Sequence, residues 1–211
     1  MKLNKVTTIA VAKGYLFQES VRLLSEIGIT FAPEDLSSRK LYVWDKSKRV
    51  KLLQVRPWDV PAYVEHGAAD LGVVGKDVLV EKNHRILELM DLKFGWCRLV
   101  IAGPKSVQNK GYWHGLKVAT KYPHSCEHYF QEQGVKITML KLYGAVELAP
   151  ITGMTDVICD LVATGKTLKE NHLQILDTIF ESTARLIANE VSFKTHHTET
   201  LQIVTALTPI L

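Results

Sequence analysis

Short apolar runs rich in β-branched residues recur along this chain of 211 residues, and most are followed by a turn residue and a helical stripe. That rhythm constrains the fold more than any other feature. Residues 6–12 alternate and predict a strand. Lys13-Gly14 turns the chain, and Leu16, Phe17, Val21, Leu23, Leu24 and Ile27 then recur at helical spacing before Gly28 supplies a stop. Residues 41–44 and 50–55 read as strands around the basic turn "KSKR", Asp59 as the cap of a short helix that ends at Gly67, and residues 70–74 as a buried strand leading through Gly75 to another short helix. Strands follow at 86–89 and 98–102. The second half repeats the pattern, with strands at 116–120, 135–142 and 157–162 and helices at 125–133, at 145–151 and after Thr167. Two strands, 175–180 and 183–188, precede a helix from about His197. Strands alternating with helices predict an α/β fold with mostly parallel sheets.

A chain of this length has ample material for one large domain or two small ones. The segment "DLKFGW" (91–96) marks a first crossing between lobes and a return lies near residue 180. The expected division is therefore 1–93 plus 180–211 for one lobe and 94–179 for the other, with a cleft between them. Hydrophobic residues make up 46% and charged residues 23%, and no apolar run approaches the ~20 residues needed to span a bilayer. The start, "MKLNKVTTIAVAKG", runs into Lys13-Gly14 without a small-residue cleavage site, so it predicts a first strand and a cytoplasmic protein. Three scattered cysteines argue against a disulfide framework or a metal site. A formal net charge of +4 suits anionic small molecules and gives no case for nucleic acid.

The most specific local signal is "DLVATGKTL" (160–168). A strand that ends in Thr-Gly-x-Thr and opens a helix aims several backbone N–H groups at one point. Thr164 and Thr167 add hydroxyls, Gly165 permits close approach and Lys166 adds charge, an arrangement suited to a phosphate monoester. The alternative is a turn whose threonines merely cap the helix. No Gly-x-x-x-x-Gly-Lys is present, so this is not a P-loop. Asp160 ends the strand on the same rim, positioned to hold ribose hydroxyls or, through them, a metal ion. Glu147, in "YGAVELAP", follows another strand, and loops leaving one edge of a parallel sheet converge. Asp70 enters a buried strand, a costly place for an unpaired charge. Lys13-Gly14 occupies a second helix start, and Arg39 stands in "SSRKL", where it supplies charge to a polyphosphate.

Together these stretches resemble the ATP phosphoribosyltransferase of histidine biosynthesis in its short form. The match runs over nearly the whole chain and rests on "AKG" (12–14), "SRKL" (38–41), "RPWDVPAYVEHGAADLGVVGKDVL" (56–79), "CRLVIAGP" (97–104), "VATKYP" (118–123), "KLYGAVELAP" (141–150), "DLVATGKTL" (160–168) and "IFESTARLIAN" (179–189). The resemblance implies a two-lobed fold similar to the periplasmic solute-binding proteins. It also implies attack of N1 of ATP on C1′ of phosphoribosyl pyrophosphate, with inversion. On that reading Thr164, Gly165, Lys166 and Thr167 bind the ribose 5′-phosphate. Glu147 and Asp160 orient the ribose hydroxyls, Mg²⁺ is held mainly by the pyrophosphate, and Arg39 and Lys13 offset phosphate charge. Lys13, Gly14, Asp70, Lys121 and Tyr122 fall on the ATP side.

The resemblance further implies a homodimer of catalytic chains and a regulatory subunit similar to histidyl-tRNA synthetase in a hetero-octamer. Because the sequence ends at Leu211, a further histidine-binding domain is not expected within it. Two positions depart from the family pattern. Tyr15 stands where Lys-Gly is usually followed by arginine, and Ala145 where a serine usually follows Gly144. Two other readings compete. A type I phosphoribosyltransferase usually carries two adjacent acids before its phosphate loop, whereas Cys159 stands beside Asp160 here. A non-catalytic solute-binding or effector-sensing module would not need the phosphate loop.

Overall fold

The computed structural model describes residues 5–38 and 40–211. Along the chain these form β1 (Thr7–Ala12), α1 (Tyr15–Glu26), α2 (Pro33–Leu36), β2 (Tyr42–Trp44), β3 (Val50–Val55), α3 (Val60–Glu65), β4 (Leu71–Gly75), α4 (Lys76–Glu81) and β5 (Leu87–Asp91). There follow β6 (Cys97–Gly103), α5 (Lys105–Gln108), β7 (Lys117–Thr120), α6 (Pro123–Glu132), β8 (Thr138–Lys141), α7 (Leu148–Ile151), β9 (Val157–Val162) and α8 (Lys166–Glu170). The last elements are β10 (Gln174–Ser182), β11 (Ala184–Ala188), α9 (Glu190–Thr195) and α10 (His197–Leu207). Strand 135–142 is shorter than expected. Gly134, at φ +69°, ends α6, and Val135 N–H donates back to the Phe130 carbonyl, so pairing starts at Thr138. Helix α9 was not predicted; the Asn189 side chain caps it, accepting from the N–H groups of Val191 and Ser192.

Two compact units result. The first comprises the described residues of Met1–Leu79 with Asn83–Gly95 and Thr183–Leu211, and the second Val80–Lys82 with Trp96–Ser182. Each holds one sheet, in the order β2-β3-β1-β4-β11-β5 and β10-β6-β9-β7-β8 respectively. The sheets are mixed rather than mostly parallel. β1 pairs in parallel with β3 and β4, and β7 with β8 and β9, whereas β11 and β10 enter antiparallel. The chain leaves one sheet and enters the other at Thr183, between β10 and β11.

Alternation along the strands gives each sheet two apolar faces. In the first unit Ile9 and Val11 pack with Leu24, Leu186 and Ile203, while Ala10 and Ala12 pack with Val60, Val64 and Ile187. Gly72 explains how closely α3 approaches: a Cβ there would stand 2.7 Å from a Val64 methyl. In the second unit Val100, Ala102, Ala119 and Ile158 pack beneath Ala149 of α7 and Leu168 of α8. Among the described residues no helix is long and apolar enough to cross a membrane.

Candidate functional site

In the second unit β9 runs parallel to β7 and antiparallel to β6. Ile158 and Val162 point into the core beneath α7 and α8, so Asp160, midway between them, faces the same way nearer the strand end. The chain then turns through residues 163–165. Gly165 holds φ +74°, and a Cβ would meet nothing closer than a Val162 methyl at 3.7 Å. Glycine is therefore favoured by conformation and not by crowding. The Thr164 hydroxyl accepts a long bond of 3.4 Å from the Lys166 N–H, and buried Leu168 anchors the five-residue α8 beneath it. A helix so short has little macrodipole, so any pull on an anion would have to come from the turn's own N–H and hydroxyl groups.

Glu147 reaches the same place from α7. Val146 and Ala149, both buried, fix that segment against the sheet. Glu147, Asp160 and the turn through Leu168 line one depression of about 200 Å³. Burial pushes the Asp160 carboxyl up to about 6; the Leu161 N–H, at 2.8 Å, and the Lys121 charge pull it back, and Glu147 adds repulsion. Lys121 therefore lies close enough to be felt by Asp160. The adjoining Tyr122 is only 4% exposed, so its ring is a core residue at the start of α6.

The first unit collects other expected residues. Lys13 follows β1, and its N–H donates to the Val55 carbonyl at 2.9 Å, which places Lys13 beside Arg56 at the end of β3. Gly14, at φ +91°, caps α1, and Tyr15 is 59% exposed. Asp70, also expected on the ATP side, lies apart from Lys13. It stands before β4, whereas Lys13 stands after the parallel β1, so the two lie at opposite edges of the sheet. Its carboxylate accepts from the Thr8 N–H at 2.8 Å and the Ser192 hydroxyl at 2.7 Å, bonds that tie α9 to the sheet. Arg39 lies outside the described residues.

Two residues escaped the sequence reading. Arg56 is exposed at the edge that carries Lys13; its signal was an arginine directly between a strand and Pro57. Glu81, which reads as a solvated helix-end acid, is 9% exposed. Its carboxylate accepts from the N–H groups of His124 and Ser125 and the Ser125 hydroxyl at 2.8–2.9 Å, capping α6. Nothing in the local sequence announces that contact.

The fold and this depression define an α/β protein of the two-unit solute-binding type, with a Thr-Gly-Lys-Thr turn and two acids lining one depression. The SsuA alkanesulfonate-binding protein of Xanthomonas axonopodis pv. citri, bound to MOPS, matches 98% of the chain and 73% of its own at a TM-score of 0.59 and 14% identity, a likeness of fold alone. Residues 56–209 match the family model HisG: ATP phosphoribosyltransferase. The ATP phosphoribosyltransferase of Caldanaerobacter subterraneus subsp. tengcongensis is 44% identical over 206 residues, 98% of each chain. That of Alkaliphilus metalliredigens is 47% identical over 194 residues, 92% of each. In the ATP phosphoribosyl transferase (HisG:HisZ) complex from Thermotoga maritima, a chain 34% identical superimposes with a TM-score of 0.83, covering 97% of this chain and 98% of that one. The chain belongs to the ATP phosphoribosyltransferase family, whose members are pentosyltransferases.

Proposed function

We propose that this chain transfers the phosphoribosyl group of phosphoribosyl pyrophosphate to N1 of ATP, giving phosphoribosyl-ATP and pyrophosphate, the first step of histidine biosynthesis. The observation that carries the reading is the convergence of Glu147, Asp160 and the 164–167 turn on one depression in a chain of this family. The lone pair of adenine N1 forms the new bond to C1′, while the bond to pyrophosphate breaks and its electron pair leaves with the pyrophosphate oxygen. Positive charge develops on the ribose and negative charge on the leaving group, so the protein's work is positioning and electrostatics.

Each residue then has a task. The hydroxyls of Thr164 and Thr167, the N–H groups of the turn and the Lys166 ammonium hold the 5′-phosphate. Asp160 and Glu147 accept from the ribose hydroxyls, which fixes C1′ and places negative charge beneath the developing cation. Lys13, Gly14 and Arg39 serve the phosphates of ATP and pyrophosphate. Lys121, within electrostatic reach of Asp160, opposes the upward pull of burial on that carboxyl. Enzymes of this family need a metal, which we assign as magnesium. The two facing carboxylates, one desolvated, fit a hard cation with oxygen ligands. Mg²⁺ would be held by the pyrophosphate and, through the ribose hydroxyls, by Asp160 and Glu147, and would supply charge neutralisation on the leaving group.

The assay is pyrophosphate release from ATP and phosphoribosyl pyrophosphate. Tight binding of either ligand with no pyrophosphate formed would replace this reading with a solute-binding module. By analogy with the Thermotoga maritima complex, we assign homodimers of this chain to a hetero-octamer with a regulatory subunit similar to histidyl-tRNA synthetase, in the cytoplasm. Neither nucleic acid nor membrane is a partner. The isolated chain is expected to turn over without responding to histidine, and the partner to bring histidine inhibition. Inhibition of the pure chain across a histidine titration would refute that division.

A further inference from the structure

Arg98 is the second residue of β6. It pairs with Val162 of β9 on one side and with Glu181 of β10 on the other. Val100 and Ala102, two and four residues on, point into the core under α7 and α8. Alternation puts the Arg98 side chain on that same face, beside the last strand residue before the 163–165 turn. Its Nε is buried and has no hydrogen-bond partner. Among the described residues its side chain makes no ion pair, although an acid faces it across the ladder: Glu181 accepts instead from the Trp96 indole N–H at 3.2 Å. Nor is its charge used by Asp160, which responds to Lys121.

A half-buried guanidinium with an orphaned Nε is costly, and such groups call for an explanation. Arginine is also the side chain whose planar fork matches a phosphate. Its ladder partner Val162 lines the same depression as the 164–167 turn, and a guanidinium and the N–H and hydroxyl donors of a turn do not satisfy one another. An anion between them would satisfy both.

We propose that Arg98 is a further binding residue of this site, its guanidinium pairing with the 5′-phosphate cradled by the 164–167 turn. The proposal rests on the transferase reading for its ligand, and the experiment separates the two. Ribose 5-phosphate, phosphoribosyl pyrophosphate and ATP are titrated calorimetrically into the full chain and its variants. Arg98→Gln is expected to weaken both ribose phosphates at least tenfold, equivalent to about 1.4 kcal/mol, and to leave ATP unchanged. Arg98→Lys, which keeps charge but loses the fork, should show a smaller loss, and it decides the matter if the glutamine variant does not fold. Because no internal partner is lost, the thermal midpoint of ligand-free Arg98→Gln should not fall, and Glu181→Gln should leave ribose phosphate affinity intact.

Affinity for both ribose phosphates within twofold of wild type in the folded variants would overturn the assignment. So would an equal loss for ATP, or a lowered midpoint matched by Glu181→Gln, which would make Arg98 an ion-pair residue. A wild-type chain that binds ribose 5-phosphate through Arg98 yet releases no pyrophosphate with ATP would uphold the arginine and remove the transferase reading. A wild-type chain that binds neither ribose phosphate would remove both.

Discussion

Two strand-to-helix turns in this molecule look alike and differ in consequence. After β1 the chain passes Lys13 and Gly14, at positive φ, into α1; after β9 it passes Thr164 and a left-handed Gly165 into α8. The first helix is the longer, with Phe17, Leu23 and Leu24 buried, so its start is a rigid corner with a lysine and an exposed tyrosine. The second helix is five residues long and weakly dipolar, yet two hydroxyls and two acids surround its turn. Topology alone therefore does not distinguish the two turns; the side chains around them do.

The two aspartates make the same contrast. Asp70 finds its partners inside the fold, in Thr8 and Ser192. Among the described residues Asp160 has a single backbone bond, and its pKa is raised, which leaves it capacity to accept from a ligand. An acid satisfied by the fold supports stability, and an acid left short of partners supports binding.

That contrast is broken most severely at Asp160. Asp160→Asn should lower kcat/KM on the order of 10²–10³-fold, as loss of one charge-stabilising group generally does, measured as pyrophosphate release. The ligand-free fold should respond in the opposite direction. The Asp160 carboxyl is raised to about 6 from about 3.9 in an unfolded chain, so the folded state holds the proton more tightly. Its stabilising contribution is fully present below about pH 4 and is lost as pH rises through about 6. At pH 8 the asparagine variant should therefore unfold at higher denaturant than wild type, and wild-type kcat/KM should climb through about pH 6 as the carboxylate ionises. A variant both inactive and less stable at pH 8 would place Asp160 in the class of Asp70.

Asp70→Ala is the reciprocal test. It leaves the Thr8 N–H and the Ser192 hydroxyl without their acceptor and should cost about 1–3 kcal/mol of stability in urea unfolding. KM for ATP should be unchanged at temperatures where the variant is folded; a large rise would return Asp70 to the nucleotide. Gly165→Val comes next. A β-branched residue at a positive φ is strained, and its bulk sits in the turn. Phosphoribosyl pyrophosphate affinity is expected to fall at least tenfold, roughly 1.4 kcal/mol, with the fold retained. Unchanged calorimetric affinity would show that the backbone of the turn does not approach the phosphate. The smallest effect is expected at Tyr15, exposed on the first turn. Tyr15→Arg should raise kcat/KM slightly or leave it level, because the edge beside it already carries Lys13 and Arg56. Loss of most turnover in a folded arginine variant would give the tyrosine a role of its own, such as stacking on the base.

Much of this was legible locally. Period-two alternation and glycine stops marked most of the strands and helices, because those signals are set by backbone geometry within a few residues. The 160–168 turn was legible for the same reason: its conformation, hydroxyls and acid are consecutive. Three other features needed partners far along the chain. The separation of Asp70 from Lys13 is not written in the sequence, which does not state which end of one strand lies beside which end of another; the parallel register of β1 and β4 does. Glu81 reads as solvated until α6 is seated on it, and Arg98 as an ordinary strand residue until Val162 and Glu181 are seen on either side with nothing bound to its Nε.

By itself, then, the sequence determined the α/β alternation, the strand-to-helix turn at 160–168 and the family. The antiparallel entry of β10 and β11, the burial that raises Asp160, and the sorting of charged residues into satisfied and unsatisfied were decided by tertiary structure. The physical reason is range. A dihedral preference or a cap acts over a few residues, whereas desolvation and hydrogen-bond partnership depend on whatever the fold brings into contact.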